Sequence, residues 1–347
     1  MKANPRTVVE SRLRHRHSKT YWLSVATLIG IFVVNTLGFT DTITGSAMGC
    51  GRNWPLCNGQ LIPSMWSTAT LIEYVHRLSV VVGGGLLMWF SVVALRKYGR
   101  VVSVRIFVTL ALLGVVLEGA LGALAVLFVN PPAVMAAHLG IALITFVAMV
   151  LVTDVIDQRD RANVATARRL GDRESKRAQA AAYAPQLKTL SRLVWWSIPY
   201  GYVAIYVGAY VASTGYGGFF QGWPIPTESP AMVGPAFWVD VLHRTIALGF
   251  VLWMGVLVWK SWRLREAGRR YFIESCVVFV FVCLQAVTGA LLIATHLSDI
   301  AFLLHVTNVS LLFATQCHLG FTLFVRRAAG HSTEHRSAER TRHRHVV

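Results

Sequence analysis

Residues 70–95, TLIEYVHRLSVVVGGGLLMWFSVVAL, decide the fold class of this chain. Apart from Glu73, His76 and Arg77 near its start, the stretch contains no charged residue and no histidine. An apolar run of about 20 residues predicts a helix that spans a membrane. The whole chain shares this character, because 54% of its 347 residues are hydrophobic, 14% are charged and the mean hydropathy is +0.52. Soluble domains carry about 25% charged residues, so the sequence predicts an all-α integral membrane protein.

Eight apolar runs have the length of a membrane span. They cover residues 21–39, 70–95, 106–128, 133–153, 193–214, 237–259, 271–295 and 300–325. We therefore predict eight transmembrane helices, with ends defined to within a few residues. The predicted regions are a tail at 1–20, an N-terminal half at 21–153 with an external loop at 40–69, a linker at 154–192, a C-terminal half at 193–325 and a basic tail at 326–347.

The basic residues orient these spans. Of 33 Lys and Arg residues, 30 lie on one predicted side, Arg52 lies on the other, and Arg77 and Arg244 lie inside spans. The positive-inside rule then places both termini in the cytoplasm. The net charge of +17 reports this topology and an attraction to anionic lipid, and no nucleic acid is needed to explain it. The first apolar run is longer than a secretory signal, and no transit peptide precedes it, which favours a bacterial plasma membrane.

Polar residues inside the spans reveal an internal repeat. Glu73-Tyr-Val-His76-Arg77 is matched by Asp240-Val-Leu-His243-Arg244, His138 by His305, and Leu121-Gly-Ala-Leu by Thr288-Gly-Ala-Leu, all at a shift of 167 residues. The chain is therefore predicted to contain two four-helix bundles, and because four is an even number the repeats are parallel. Parallel repeats argue against an alternating-access transporter of the kind that is built from inverted repeats. All four histidines lie near the external ends of their helices.

Two histidines per bundle indicate a cofactor site. A single buried histidine is commonly explained by a hydrogen bond to a neighbouring helix, but four at matched positions favour axial ligation of haem iron. We predict one haem-sized site in each half, with His76 and His138 in the first and His243 and His305 in the second. A copper or zinc site that adds Glu73 as a third ligand stays open as an alternative.

The intramembrane charges have two interpretations. Arg77 and Arg244 each follow an acid by four residues, so each can pair within its own helix or face a haem propionate, and the two roles are compatible. Glu73 shares a helix face with His76, which suits proton transfer or the stabilisation of a cationic intermediate. Glu118 stands where the second half has Gln285 and is either a proton-path residue or a hydrogen-bonded acid of the bundle.

Two of the five cysteines lie outside the spans. Cys50 and Cys57 belong to the first external loop, on the side of the membrane where disulfides persist. A short exposed loop leaves open whether this pair is a structural disulfide or a redox-active one. The matching loop of the second half has no cysteine. Cys276, Cys283 and Cys317 are predicted to be packing residues.

These residues carry a resemblance to a known family. The relevant motifs are the Cys50-Gly-Arg-Asn-Trp-Pro-Leu-Cys57 loop, Glu73-Tyr-Val-His-Arg77, Asn130-Pro-Pro-Ala-Val-Met-Ala-Ala-His138 and Leu242-His-Arg244. Together with the eight spans they resemble haem A synthase, the Cox15/CtaA family, over about residues 21–325. Asp240 and Glu118 have no role that the resemblance assigns, and the second external loop lacks a cysteine pair.

The resemblance implies an activity. It implies that a ring methyl group of haem O is oxidised to a formyl group by successive hydroxylations, giving haem A for cytochrome oxidase. It implies a resident haem b on His243 and His305, a substrate haem facing His76 and His138, and Glu73 as the essential acid. Haem O synthase, a farnesyltransferase, and cytochrome oxidase assembly factors are the expected partners, and a homo-oligomer is a further expectation.

Two other functions compete with this interpretation. A di-haem b-type cytochrome that only transfers electrons explains the four histidines equally well, but it leaves Glu73 and the cysteine loop of one half without a purpose. A quinone-linked thiol oxidase uses Cys50 and Cys57 but gives the four histidines no role.

Overall fold

A computed structural model describes residues 17–165 and 183–344. Its long helices are α1 (Lys19–Ile43), α2 (Thr68–Tyr98), α3 (Val102–Leu127), α4 (Pro132–Ala165), α5 (Ala184–Ser213), α6 (Pro235–Arg263), α7 (Arg265–Ala294) and α8 (Asp299–Arg344). No strand occurs in these two ranges, apart from one isolated bridge in the first external loop. Most of the predicted N-terminal tail, the middle of the linker and the last three residues lie outside the described ranges.

The helices confirm a multi-pass membrane protein. Within the described residues, seven helices are long and apolar enough to cross a membrane, namely all of the long helices except α5. Helix α5 has the length, at 30 residues, but Trp195, Trp196, Pro199 and several Tyr and Ser residues dilute its aliphatic content. The count of eight spans, which depends on α5, and the cytoplasmic placement of both termini stay predictions.

Helix starts set the depth of the histidines. Helix α2 begins after Ser67, whose hydroxyl accepts a hydrogen bond from the amide of Thr70 at 3.0 Å, the usual N-cap arrangement. Helices α4 and α6 begin with Pro132 and Pro235, a residue suited to the first turn because it needs no amide partner there. As a result, each of the four histidines lies in the second or third turn of its helix.

The described chain forms two compact units. The first comprises residues 17–130 and 144–165. Within it, α2 packs against both α1 and α3, and the rings of Phe32 and Phe146 join α1 to α4 with centroids 5.7 Å apart. A Cβ placed on Gly114 of α3 would lie 2.1 Å from the hydroxyl of Thr145 on α4, so glycine is required for this close approach. The first unit is therefore built from four helices.

The second unit comprises residues 131–143 and 183–344. Its helices contact one another in the ring α5–α6–α7–α8–α5, so α6 and α8 lie diagonally across a four-helix bundle. The bundle contains a hydrophobic cluster that includes Leu190, Phe250, Met254, Leu257, Val278 and Leu319. The start of α4 belongs to this unit, because Gly140 packs directly on Tyr202 of α5. The predicted N-terminal half contains all of α4, and this division into halves stays a prediction.

Candidate functional site

Glu73 is the most constrained acid of the first unit. Its side chain is 3% exposed, and its Oε2 accepts a hydrogen bond from the backbone amide of Cys50 at 2.6 Å. Its Oε1 accepts two further bonds from Arg77, at 3.1 Å from Nε and 2.5 Å from Nη2. The predicted ion pair between these neighbours on α2 is confirmed. Three N–H donors therefore fix the carboxylate in one orientation, as a buried charge requires.

Arg77 and Arg244 also each hold the loop of their own unit that is predicted to be external. Arg77 donates to the carbonyl oxygen of Leu56 at 2.7 Å. Arg244 pairs with Asp240 at 2.6 Å, which confirms the second predicted ion pair, and donates to the carbonyl oxygens of Gly222 and Pro224. Nη2 of Arg244 is buried without a hydrogen-bond partner in the described chain. This free donor leaves room for an anionic ligand at the second arginine.

The two external loops repeat a feature that the sequence analysis missed. Each contains a Trp-Pro pair with a cis peptide bond, Trp54–Pro55 in the first loop and Trp223–Pro224 in the second. The carbonyl groups that bind the arginines lie within two residues of these pairs. The Trp-Pro dipeptides were visible in the sequence, at a shift of 169 rather than 167 residues.

Cys50 and Cys57 form a disulfide, but they are not exposed as the sequence analysis expected. Their exposed fractions are 0% and 2%, because the loop folds back onto the start of α2. A Cβ on Gly49 would lie 2.4 Å from the backbone of Ala69, and Thr70 donates to the carbonyl oxygen of Gly49 at 2.9 Å. The disulfide thereby closes the loop whose Cys50 amide binds Glu73.

Asp41 is a second acid at this end of the first unit, and the sequence did not predict it. The predicted first span ended at residue 39, whereas α1 continues to Ile43 and buries the Asp41 side chain to 6% exposure. Asp41 interacts electrostatically with Glu73 and Arg77, and its Oδ1 is buried without a hydrogen-bond partner within the described chain. An acid two residues beyond a long apolar run was the feature of the sequence that could have indicated this buried position.

A glycine of α1 faces the imidazole of His76 on α2, and a glycine of α5 faces the imidazole of His243 on α6. A Cβ on Gly38 of α1 would lie 3.0 Å from Cε1 of His76, and a Cβ on Gly208 of α5 would lie 2.8 Å from Cε1 of His243. Only glycine leaves the ring this space. His243 and His305 lie close enough to interact electrostatically, and they project from the diagonal helices α6 and α8.

The remaining titratable groups have different environments. His138 groups with the second unit, and its Nδ1 is buried without a hydrogen-bond partner in the described part of the chain. Glu118 of the first unit accepts a hydrogen bond from Thr145 at 2.6 Å, so it is at least a bonded acid of the bundle. Cys276, Cys283 and Cys317 are free thiols.

A small-metal site receives no support from this geometry. Across residues 17–165 and 183–344, no three His, Cys, Asp or Glu side chains are arranged to hold a metal ion. A haem fits the second unit better, because it needs only two imidazoles on opposite sides. The buried Nδ1 of His243 also lacks a partner in the described chain, and Gly208 leaves its ring unobstructed.

Gly208 offers a direct test of this ring position. We expect Gly208→Ala to displace the His243 imidazole, because the added methyl group would overlap Cε1, and overpacking of this kind costs about 1–3 kcal/mol. Haem retained per protein after purification, read from absorbance, is expected to fall. Gly255→Ala on α6 is the control, since its Cβ would meet Phe279 only at 3.9 Å. Equal haem retention in the two variants would contradict the prediction.

Comparison with known proteins decides the family. Residues 20–317 match COX15-CtaA, described as "Cytochrome oxidase assembly protein". The chain belongs to the COX15-CtaA family. A similar protein of Geobacillus kaustophilus is 30% identical over 320 residues, which cover 92% of this chain and 96% of the relative. One from Lysinibacillus sphaericus is 29% identical over 86% of this chain and 93% of its own length. Both are named "Heme A synthase". The COX15-CtaA match includes all four histidines and the disulfide loop.

Proposed function

We propose that this chain oxidises a ring methyl group of haem O to a formyl group and so makes haem A for cytochrome oxidase. Membership of the COX15-CtaA family and the names of the relatives support this activity. The observation that carries it is the Glu73 carboxylate, which the Cys50 amide and Arg77 hold in place one helical turn from His76. An electron carrier has no need of such a fixed acid, so the di-haem cytochrome is not favoured.

The reaction proceeds in oxidative steps. In each of two hydroxylations a C–H bond of the methyl group breaks and a C–OH bond forms, with the oxygen atom supplied by water or dioxygen; the carbon gives up two electrons to an electron acceptor and releases a proton. The resulting geminal diol loses water to give the formyl group. His76 and His138 are the proposed ligands of the substrate haem. Glu73 accepts the released proton or stabilises the cationic intermediate at the methyl carbon, roles for which a positioned carboxylate is suited. Arg77 keeps Glu73 oriented through their ion pair.

The second half handles electrons. His243 and His305 are its proposed ligands for a resident haem b, which supplies one-electron transfer when bound. Nη2 of Arg244 is buried without a hydrogen-bond partner in the described chain. Arg77 donates hydrogen bonds to Glu73 and Leu56 from all three of its guanidinium nitrogens. Arg244 is therefore the better placed of the two arginines to bind a propionate. The proposed role of the Cys50–Cys57 disulfide is structural, because it closes the loop whose Cys50 amide donates to Glu73.

The setting follows from the charge distribution. Both termini are proposed to lie in the cytoplasm of a bacterium, with the histidines near the external face of the cell membrane. Haem O is the substrate, and haem O synthase and cytochrome oxidase assembly factors are the proposed protein partners. A homo-oligomer stays a prediction.

Haem extraction tests this proposal. The full chain is produced in cells that supply haem O, purified in detergent, and its haems are extracted and separated by chromatography. We expect haem O or haem A beside haem B. A His76→Ala/His138→Ala double variant is the matched control and is expected to retain haem B alone. Two haem B per wild-type chain, with neither haem O nor haem A, would instead support the electron carrier.

A further inference from the structure

A polar network surrounds His305 in the second unit, and at the matching positions of the first repeat two of its three residues are replaced by apolar ones. We infer that Thr288, together with Gln285 and Asn308, is a positioning site that fixes the tautomer and the orientation of the His305 imidazole, so that its Nε2 lone pair is presented to haem iron. This inference rests on the proposed function, because it takes His305 to be a haem ligand.

Thr288 contacts Nδ1 of His305. Its hydroxyl group has a single hydrogen, which it donates to the backbone carbonyl oxygen of Leu284 at 2.9 Å. Oγ1 of Thr288 also lies 2.9 Å from Nδ1 of His305. The backbone carbonyl oxygen of Gln285, at 3.2 Å, is a second acceptor for the same hydroxyl hydrogen. With that hydrogen on a carbonyl group, the hydroxyl oxygen is able to accept from Nδ1 of His305, so this contact is compatible with a hydrogen on Nδ1.

Gln285 indicates the tautomer of His305 through the other ring nitrogen, Nε2. Asn308 donates from Nδ2 to Oε1 of Gln285 at 2.6 Å and to the carbonyl oxygen of Phe281 at 2.9 Å. The Gln285 oxygen is thus the acceptor of that contact, and its amide nitrogen faces Nε2 of His305 at 2.8 Å. An amide nitrogen only donates, so Nε2 must carry the lone pair. The Gln285 contact therefore assigns the tautomer, and the Thr288 contact is compatible with it.

This tautomer is the one that a haem ligand requires. Metal-bound histidines generally donate the hydrogen of their second ring nitrogen to a fixed acceptor, which orients the ring and raises its basicity. Thr288 would provide that acceptor, and Gln285 contacts Nε2, the atom through which His305 would hold the haem. The ring is consequently ordered before the haem binds, which lowers the entropic cost of ligation.

The first repeat lacks these groups. At the shift of 167 residues, Leu121 replaces Thr288 and Ile141 replaces Asn308, while Glu118 replaces Gln285. Nδ1 of His138, the counterpart of His305, is buried without a hydrogen-bond partner in the described chain. Nδ1 of His243, the other proposed ligand of the resident haem, is also buried without a hydrogen-bond partner in the described chain. Of these three histidines, His305 alone therefore has a polar partner at Nδ1.

The test removes the Thr288 hydroxyl and follows haem b directly. Full-length Thr288→Val protein, purified in detergent with its haem, is mixed with excess apomyoglobin, and the rate of haem b transfer is measured together with the midpoint potential. We expect loss of haem b to be about tenfold faster, the lower end of the cost of removing such an outer hydrogen bond. The midpoint potential should move to a more positive value, because a less basic imidazole stabilises ferric iron less.

Several variants make the result specific. Thr288→Ser restores the hydroxyl and should restore both values, and Thr288→Ala repeats the loss without a branched side chain if the valine protein is poorly folded. Thr295→Val is the matched control, because Thr295 lies at the end of the same helix and its hydroxyl bonds to Leu291. Wild-type transfer rate and potential in Thr288→Val and Thr288→Ala would overturn the inference.

His305→Ala separates this inference from the proposed function. If His305→Ala retains haem b, the ligand assignment is wrong and the inference falls with it. If His305→Ala loses haem b but the Thr288 variants behave as wild type, the ligand assignment stands and only the positioning role is rejected.

Discussion

His243→Ala is expected to abolish the low-spin b-type absorbance of the purified chain. His243 lies on α6, diagonally across the bundle from α8, which carries His305. Removal of an outer hydrogen bond to a metal ligand costs about 10–100-fold in affinity, so removal of a proposed ligand itself should reduce bound haem b by more than about tenfold. The reduced-minus-oxidised spectrum, normalised to protein, measures the effect.

Two other histidine variants test whether the loss of haem b is specific to His243. His296→Asn changes an exposed histidine of the loop between α7 and α8 and should keep the full spectrum; asparagine tolerates the positive φ of 50° at this position. His76→Ala, in the other unit, should keep haem b and lose the substrate haem. A low-spin spectrum that survives in His243→Ala would show that the resident haem is held elsewhere.

Glu73→Gln should lower haem A formation by about 10²–10⁴-fold, the usual contribution of a positioned acid or base. Glutamine matches the shape of glutamate, but its single oxygen cannot accept from both the Cys50 amide and Arg77, which the carboxylate does with its two oxygens. Bound haem B should remain, because Glu73 lies in the other unit from His243 and His305. Extracted haem A per protein is the measurement.

The structural cost of the substitution needs its own control. Loss of one partner of a buried ion pair can destabilise a protein by about 3–5 kcal/mol. Asp240→Asn breaks the equivalent pair with Arg244, so it should show a comparable fall in thermal stability, while haem A formed per bound haem B continues. If both variants lose haem A in proportion to their loss of stability, Glu73 is a structural acid and its catalytic role is rejected.

Much of the site could be predicted from the sequence because its residues are unusual where they stand. A histidine or an acid inside an apolar span is costly, so His76, His138, His243 and His305 were visible without any structure. The pairs Glu73–Arg77 and Asp240–Arg244 were predicted for the same reason, with the additional constraint that residues four apart share a helix face. The structure confirms both pairs.

Other parts of the site carry no such signal. Thr288 and Asn308 are ordinary polar residues of a membrane helix, and their importance comes from contacts across 17 and 23 residues of chain. Asp41 was assigned to a loop because the apolar run ends before α1 does. The burial of Cys50 and Cys57 was also missed, since loop residues are exposed by default and only the packing of Gly49 on α2 reverses this.

The sequence by itself determined the class of protein, the repeat and the identity of the candidate ligands, because the cost of polar groups in lipid restricts where such residues can stand. Only the tertiary structure decided which donors hold Glu73, which polar groups contact the two ring nitrogens of His305, and which thiols are buried in a disulfide. Those properties depend on distances of about 3 Å between atoms far apart in the chain, and the linear pattern of residue types does not encode such distances.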